Sequence, residues 1–142
     1  MSGRSSARRL VLQMLFLVDQ NQESDENRIR QSITRELRDP AVREFAFQLF
    51  DGVLKNQEEI DALIRETASN WKLERMLATD RNVLRIGIFE VRCFDTPPAV
   101  ALNEAIEMAR EFGTEHSAAF VNGILDKLIP NGARSDAADG SQ

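Results

Sequence analysis

A nucleophile and a base at adjacent positions are the first chemistry this chain offers. They are His116 and Ser117, within Thr114-Glu115-His116-Ser117. A catalytic triad needs the base hydrogen-bonded to the nucleophile and held by a third group, and adjacency in sequence supplies neither. Ser117 stands just before an apolar helical run, so the expected role of its hydroxyl is to cap that helix. Cys93, the one cysteine, lies between Arg92 and Phe94, and a packed structural thiol is expected there. One His and one Cys exclude His-pair zinc sites, multi-cysteine metal centres and an internal disulfide. There is no glycine-rich phosphate loop, and carboxylate pairs such as Glu58-Glu59 sit on polar helix faces. These residues point to no enzyme, no cofactor and no metal.

Two further sets of polar residues ask for an explanation. Arg85 and Glu90 lie in one strongly apolar segment, Asn103 and Glu104 in the next, and Asn122 with Gly123 in the last. A buried charge costs several kcal/mol unless it is paired. The expectation is a structural polar network of Arg85, Glu90, Asn103, Glu104 and Asn122. Arg85 would pair with Glu104 or Glu90 across a helical hairpin, and Asn103 or Asn122 would bond to chain ends. Gly123 is expected where helices approach closely. The second set is Arg4, Arg8 and Arg9, with no acid before Asp19, in a chain of net charge −5. On a helix Arg4 and Arg8 share a face, and Arg9 lies about 100° round. Arginine forks phosphates and stacks on bases. It also solubilises helix starts, and composition leaves both roles open.

The elements that must hold these groups are helical. The 142 residues, 42% hydrophobic and 29% charged, suit one globular domain. Leu10, Val11, Met14, Leu15 and Val18 mark a first helix from about Ser5 to Gln20. Ile29, Ile33 and Leu37 mark a second after Ser24, and Asp39-Pro40 reads as the cap and first turn of a third. That third helix runs through Val42, Phe45, Leu49 and Val53, with Gly52 as a weak point. Ile60, Leu63 and Ile64 continue as a fourth, with Asp61, Arg65 and Glu66 on its solvated side. Ser69 to Thr79 holds at most a short helical turn. Thr79 and Asp80 are expected to cap a central helix carrying Val83, Leu84, Ile86 and Ile88. Thr96-Pro97-Pro98 restarts the chain into a helix that ends at Gly113. A last helix carries Phe120, Val121, Ile124 and Leu125, and Pro130 stops it. Residues 131–142 are expected to form a disordered tail. No alternating strand pattern, signal peptide or bilayer-length apolar run appears, so an all-α, cytoplasmic bundle of about seven helices is expected.

Four of these segments, in order, resemble the NusB family of transcription antitermination factors. They are Ala7-Arg8 with Gln13, Leu15 and Phe16; Val83-Leu84-Arg85-Ile86 with Phe89-Glu90; Asn103-Glu104-Ala105-Ile106-Glu107 with Phe112-Gly113; and Phe120-Val121-Asn122-Gly123-Ile124-Leu125-Asp126. The resemblance covers about Ser6 to Leu128. It implies one RNA-binding domain over 1–130, made of helical subdomains over about 4–68 and 69–129, without enzyme activity. It further implies binding of single-stranded boxA RNA in ribosomal RNA leaders together with NusE, a basic small-subunit ribosomal protein. Other Nus factors and RNA polymerase would be met indirectly. Some relatives pair with themselves, so a homodimer is a further implied partner. By the same resemblance Arg4, Arg8, Arg9, Gln13, Phe16, His116 and Ser117 fall at RNA-binding positions. Glu74 and Asp80 fall on the face that receives NusE. Ser5 and Ser6 replace part of the family's arginine run, Phe16 stands where Tyr is common, and His116 stands where some members carry Asp. NusE is therefore expected to be needed for tight RNA binding. The competing expectation is a protein-interaction scaffold whose arginines only solubilise it.

Overall fold

The computed structural model describes residues 2–21 and 25–129. Ser24, Pro130 and the tail over 131–142, assigned roles above, lie outside the described residues. Helices α1 (Gly3–Asn21), α2 (Glu26–Glu36), α3 (Pro40–Lys55) and α4 (Gln57–Thr67) lead to a short 3₁₀ turn (Leu73–Arg75). Helices α5 (Ala78–Cys93), α6 (Pro98–Phe112) and α7 (Ser117–Leu128) follow. The described residues contain no strand.

Local chemistry sets most helix ends. The Asp25 side chain accepts from the Asn27 N–H at 2.9 Å to start α2, and Asp39 does the same with Ala41 at 2.9 Å to start α3 behind Pro40. Asn56 closes α3 by donating its side-chain amide to the Gly52 carbonyl at 2.7 Å. Two expected caps are corrected. Helix α5 starts at Ala78, after extended backbone at Met76 and Leu77, so Thr79 and Asp80 lie inside its first turn. Ser117 is the first residue of α7 and accepts from the Thr114 N–H behind it at 2.9 Å, so it ties the preceding turn.

Helix α5 is the centre of the bundle, with Asp80 and every residue from Asn82 to Glu90 buried. Helix α1 packs on α3 and α5, while α6, α7 and α4 pack around the rest of α5. Phe50, Leu49, Ile64, Leu84, Ile86, Met108 and Leu125 are among the buried side chains of one continuous core. Gly52 is a point of close approach: a Cβ there would collide with the Phe89 ring. Gly123, by contrast, is exposed with no atom within 4 Å of where a Cβ would stand, so it is no helix-approach position.

The buried polar residues form two separate joints, which corrects the single network expected. Arg8, 3% exposed, forks Glu90, 1% exposed, through Nε and Nη2 at 2.7 and 2.8 Å. The Thr96 hydroxyl donates to the same carboxylate at 2.9 Å. Glu104 lies on the rim of this joint, accepting from Ser5 and Arg9. Arg85 pairs instead with Asp61 of α4, at 2.8 and 2.9 Å, and donates to Asn82 at 3.0 Å. Asn82 and Arg81 both donate to Asp19 of α1, at 3.1 and 2.6 Å, and Arg81 also holds the Leu73 and Met76 carbonyls. Arg85 turns to α4 because Asp61, expected to be solvated, is 6% exposed on the inner face beside Ile60 and Ile64. Asn103 and Asn122 are exposed and belong to neither joint.

A third buried acid, Asp80, links α5 to α7. It is 5% exposed, and its Oδ1 has no hydrogen-bond partner. Burial raises its pKa above the ordinary 3.8, and the neighbouring Ser117 hydroxyl offsets only part of this.

Two outcomes follow. Arg8→Met leaves Glu90 buried and unpaired, so urea unfolding should show a loss of about 3–5 kcal/mol, most of it regained in Arg8→Met/Glu90→Met. For Asp80 the folded state holds its proton more tightly than the unfolded state. Its contribution to stability is therefore full below pH 3.8 and is lost as pH rises from there through the raised folded value. Asp80→Asn should raise the melting temperature at neutral pH, with the gain shrinking as pH falls through that window.

Candidate nucleic-acid and partner interface

The arginine-bearing start of α1 divides into three fates. Arg4 is exposed, with its guanidinium 4.5 Å from the centre of the Phe45 ring, a cation–π contact that leaves its donors open to solvent. Arg9 is half committed. Its Nε donates to Glu111 at 2.6 Å, and its Nη1 to the Ser5 carbonyl at 3.1 Å and to Glu104 at 3.3 Å. Partial burial works against its charge, but Glu111 and Glu104 outweigh that and raise its pKa. Arg8 is consumed inside the fold by Glu90. That corrects its expected place on an RNA-contacting surface, since Nε and Nη2 grip the buried Glu90 carboxylate and Nη1 lies 3.5 Å from Glu104. Arg4 and Arg8 do share a face, but that face is turned so that only the first reaches solvent.

One turn further along α1, Gln13 and Phe16 are exposed, the latter by 39%, and Leu17 is 41% exposed beside them. These side chains line an apolar groove of about 340 Å³, closed on its other sides by Thr79 of α5 and Phe112 of α6. Leu77, 48% exposed, immediately precedes α5. Leu17, Leu77 and Phe112 were not expected here. The signal for Leu17 is its place off the core stripe of Leu10, Met14 and Leu15. With Gln13, Phe16 and Gln20 it makes a second face at the three-four spacing.

The polar corner before α7 also divides. His116 is exposed, with its Nε2 3.3 Å from Glu115, and its imidazole is free to meet a ligand. Ser117 is 1% exposed and held by Thr114, so it shapes the corner from inside. Of the two acids expected on the partner face, Glu74 is exposed in the 3₁₀ turn. Its carboxyl is held below the usual range, first by its own backbone N–H and then by Arg65 at 3.1 Å. Asp80 lies beneath the surface next to groove-lining Thr79, so it supports that face from below. His116 and Ser117 are not arranged as base and nucleophile, because the Ser117 hydroxyl is buried against the Thr114 turn. Cys93 is exposed, which corrects the packed thiol expected there. Among the described residues no cluster of His, Cys, Asp and Glu can hold a metal ion, and no helix is long and apolar enough to cross a membrane.

A family model described as the NusB family matches residues 5–130. Two curated relatives named transcription antitermination protein NusB are from Sorangium cellulosum and Streptomyces avermitilis. They are 42% and 43% identical, covering 96% and 90% of this chain and 98% and 92% of their own lengths. The structure of T. maritima NusB superposes with a TM-score of 0.84 at 34% identity, over 95% of this chain and 99% of that one. A chain from the crystal structure of antitermination factors NusB and NusE in complex with dsRNA shares the fold. Its TM-score is 0.80 at 24% identity, over 90% of this chain and 96% of that one. With the matched region running from the first turn of α1 past the end of α7, the chain belongs to the NusB family.

Proposed function

We propose that this protein is a transcription antitermination factor. It binds boxA-type single-stranded RNA of ribosomal RNA leaders together with NusE, and so suppresses premature termination by RNA polymerase. It does this as a binding protein, with no catalytic step, and contacts other Nus factors and the polymerase through that assembly. The observation that carries the proposal is the match of nearly the whole chain to relatives named for antitermination. A neighbour of the same fold, crystallised with NusE and double-stranded RNA, supports it.

The surface divides in a way that suits two partners. The apolar groove closed by Leu17, Thr79 and Phe112 has the character of a protein-binding core, and Gln13 and Phe16 on its α1 side adjoin the edge assigned to RNA. Exposed Glu74 offers a negative charge to a basic partner such as NusE. Arg4, Arg9, Gln13 and His116 lie on or near the open side of α1 and the α7 corner and form the basic and polar edge for RNA. Only Arg4 of the three arginines has its guanidinium fully available, so the chain alone offers little phosphate neutralisation. A composite surface, completed by NusE, follows from that scarcity.

Fluorescence-anisotropy titration of a labelled boxA RNA, with and without NusE and at two salt concentrations, tests this. Salt-sensitive binding that tightens with NusE and is absent for a scrambled RNA is expected. No RNA binding in either condition, with NusE still associating, would leave a protein-interaction scaffold. Within the same assay Arg4→Ala should weaken binding and lower the salt slope by about 0.7, the share of one cation on a single strand. The Arg8→Met variant, compared where it remains folded, should leave that slope unchanged. Leu17→Asp should weaken NusE association at least tenfold without lowering the melting temperature, because Leu17 is exposed.

A further inference from the structure

Outside the groove on α1, a second aromatic side chain stands largely in solvent. Trp71 is 61% exposed, in the turn between α4 and the 3₁₀ segment, and it is the only tryptophan of a chain that has no tyrosine. The edge of one ring meets the face of the other between Trp71 and Phe120 of α7, with centroids 5.6 Å apart and planes at 81°. That contact braces the indole. In front of it is an open cleft of about 250 Å³, lined by Ser69, Asn70, Phe120, Gly123 and Lys127. Gly123 has no atom within 4 Å of where a Cβ would stand, so its lack of a side chain keeps the cleft open without serving any helix contact.

Three properties of the cleft converge on one ligand chemistry. An aromatic plate offers stacking area to any base, because every base has a π-face. Ser69 and Asn70 bring hydroxyl and amide groups that can meet the edge of a base. Lys127 on the cleft is an exposed cation suited to a flanking phosphate, while Lys72 next to Trp71 shares its field with the Glu74 carboxylate. The cleft is also continuous with the polar corner. His116, Phe120, Gly123 and Lys127 recur at spacings of four, three and four residues, so they form one stripe along α7. In the cleft itself Lys127 would oppose a basic protein such as NusE, whose expected contact Glu74 lies outside the cleft on the neighbouring 3₁₀ turn.

We propose that Trp71, braced by Phe120, is a base-stacking platform that takes one unstacked nucleobase of a single-stranded RNA, with Lys127 on an adjoining phosphate. This rests on the RNA-binding function above and adds an RNA contact that continues along α7 from the His116 corner.

The intrinsic fluorescence of the full chain tests it directly, because Trp71 is the sole indole. Titration with the boxA-type RNA, in the presence of NusE and alongside anisotropy of a labelled copy, should quench that fluorescence as the RNA binds. One abasic position along the RNA should abolish the quenching and weaken binding by about the same factor as Trp71→Ala. Trp71→Ala should weaken RNA binding roughly five- to a hundred-fold, with Trp71→Phe retaining much of the affinity and both variants keeping the wild-type melting temperature. RNA binding with unchanged fluorescence and a neutral Trp71→Ala would overturn the platform and leave the antitermination reading intact. No RNA binding by the wild-type complex would overturn both. Quenching by NusE alone, with none added by RNA, would assign the cleft to a protein and overturn the platform.

Discussion

Arg8 and Glu90 meet where α1 crosses α5, and each is more than nine-tenths buried. Two charges in such a place are stable only as a pair with every donor and acceptor placed, so their geometry fixes how the two helices cross. The Thr96 hydroxyl reaches the same carboxylate from the loop before α6, and Ser5 and Arg9 extend the contact to Glu104 on α6 itself. The first, fifth and sixth helices thus share one electrostatic joint. At the other end of α1, Asp19 gathers Arg81 and Asn82, and Asn82 passes the contact to Arg85 and Asp61. Helix α1 is clamped to α5 near both of its ends, and the outer face between the clamps is held rigidly toward solvent.

That arrangement has a cost for the charge balance of the surface. A start of chain with three arginines and no acid looks strongly basic in one dimension. In three dimensions one arginine is buried, another is shared between two glutamates, and one remains open. The protein invests cations in its own architecture and keeps a mixed face of aromatic, amide and imidazole groups outside. Recognition on such a face depends on shape, stacking and a second protein more than on bulk phosphate attraction.

The helices were legible because their apolar periodicity is local, and Asp39-Pro40 and Gly113 mark their ends through chemistry within a few residues. The family was legible because four motifs keep their order. The pairing of charges was not. Arg85 is expected from sequence to meet Glu104 or Glu90, and the carboxylate it does meet depends on how α4 lies against α5, a relation that no short-range pattern carries. Asp61 could have been assigned inward, since it precedes Ile64 and Ala68 at the three-four spacing, but its charge argued for the solvated side. Arg8 was misplaced for the complementary reason: an arginine beside two others reads as surface until the buried Glu90 opposite it is known. Asn122 and Gly123 read as interior because apolar residues flank them, although at this point α7 presents its outer face.

Gly52 and Phe89 form a steric lock between α3 and α5, since the aromatic ring occupies the space a side chain at 52 would need. Such a lock holds a helix pair in register, because sliding α3 by one turn would bring a bulkier residue onto the ring. It also ties the two positions together over evolutionary time. A descendant that acquires a larger residue at 52 can keep this helix spacing only by shrinking the one at 89. Phe89 is buried, yet drift at either position would tilt α5 and carry Asp80, Glu90 and the floor of the α1 groove with it.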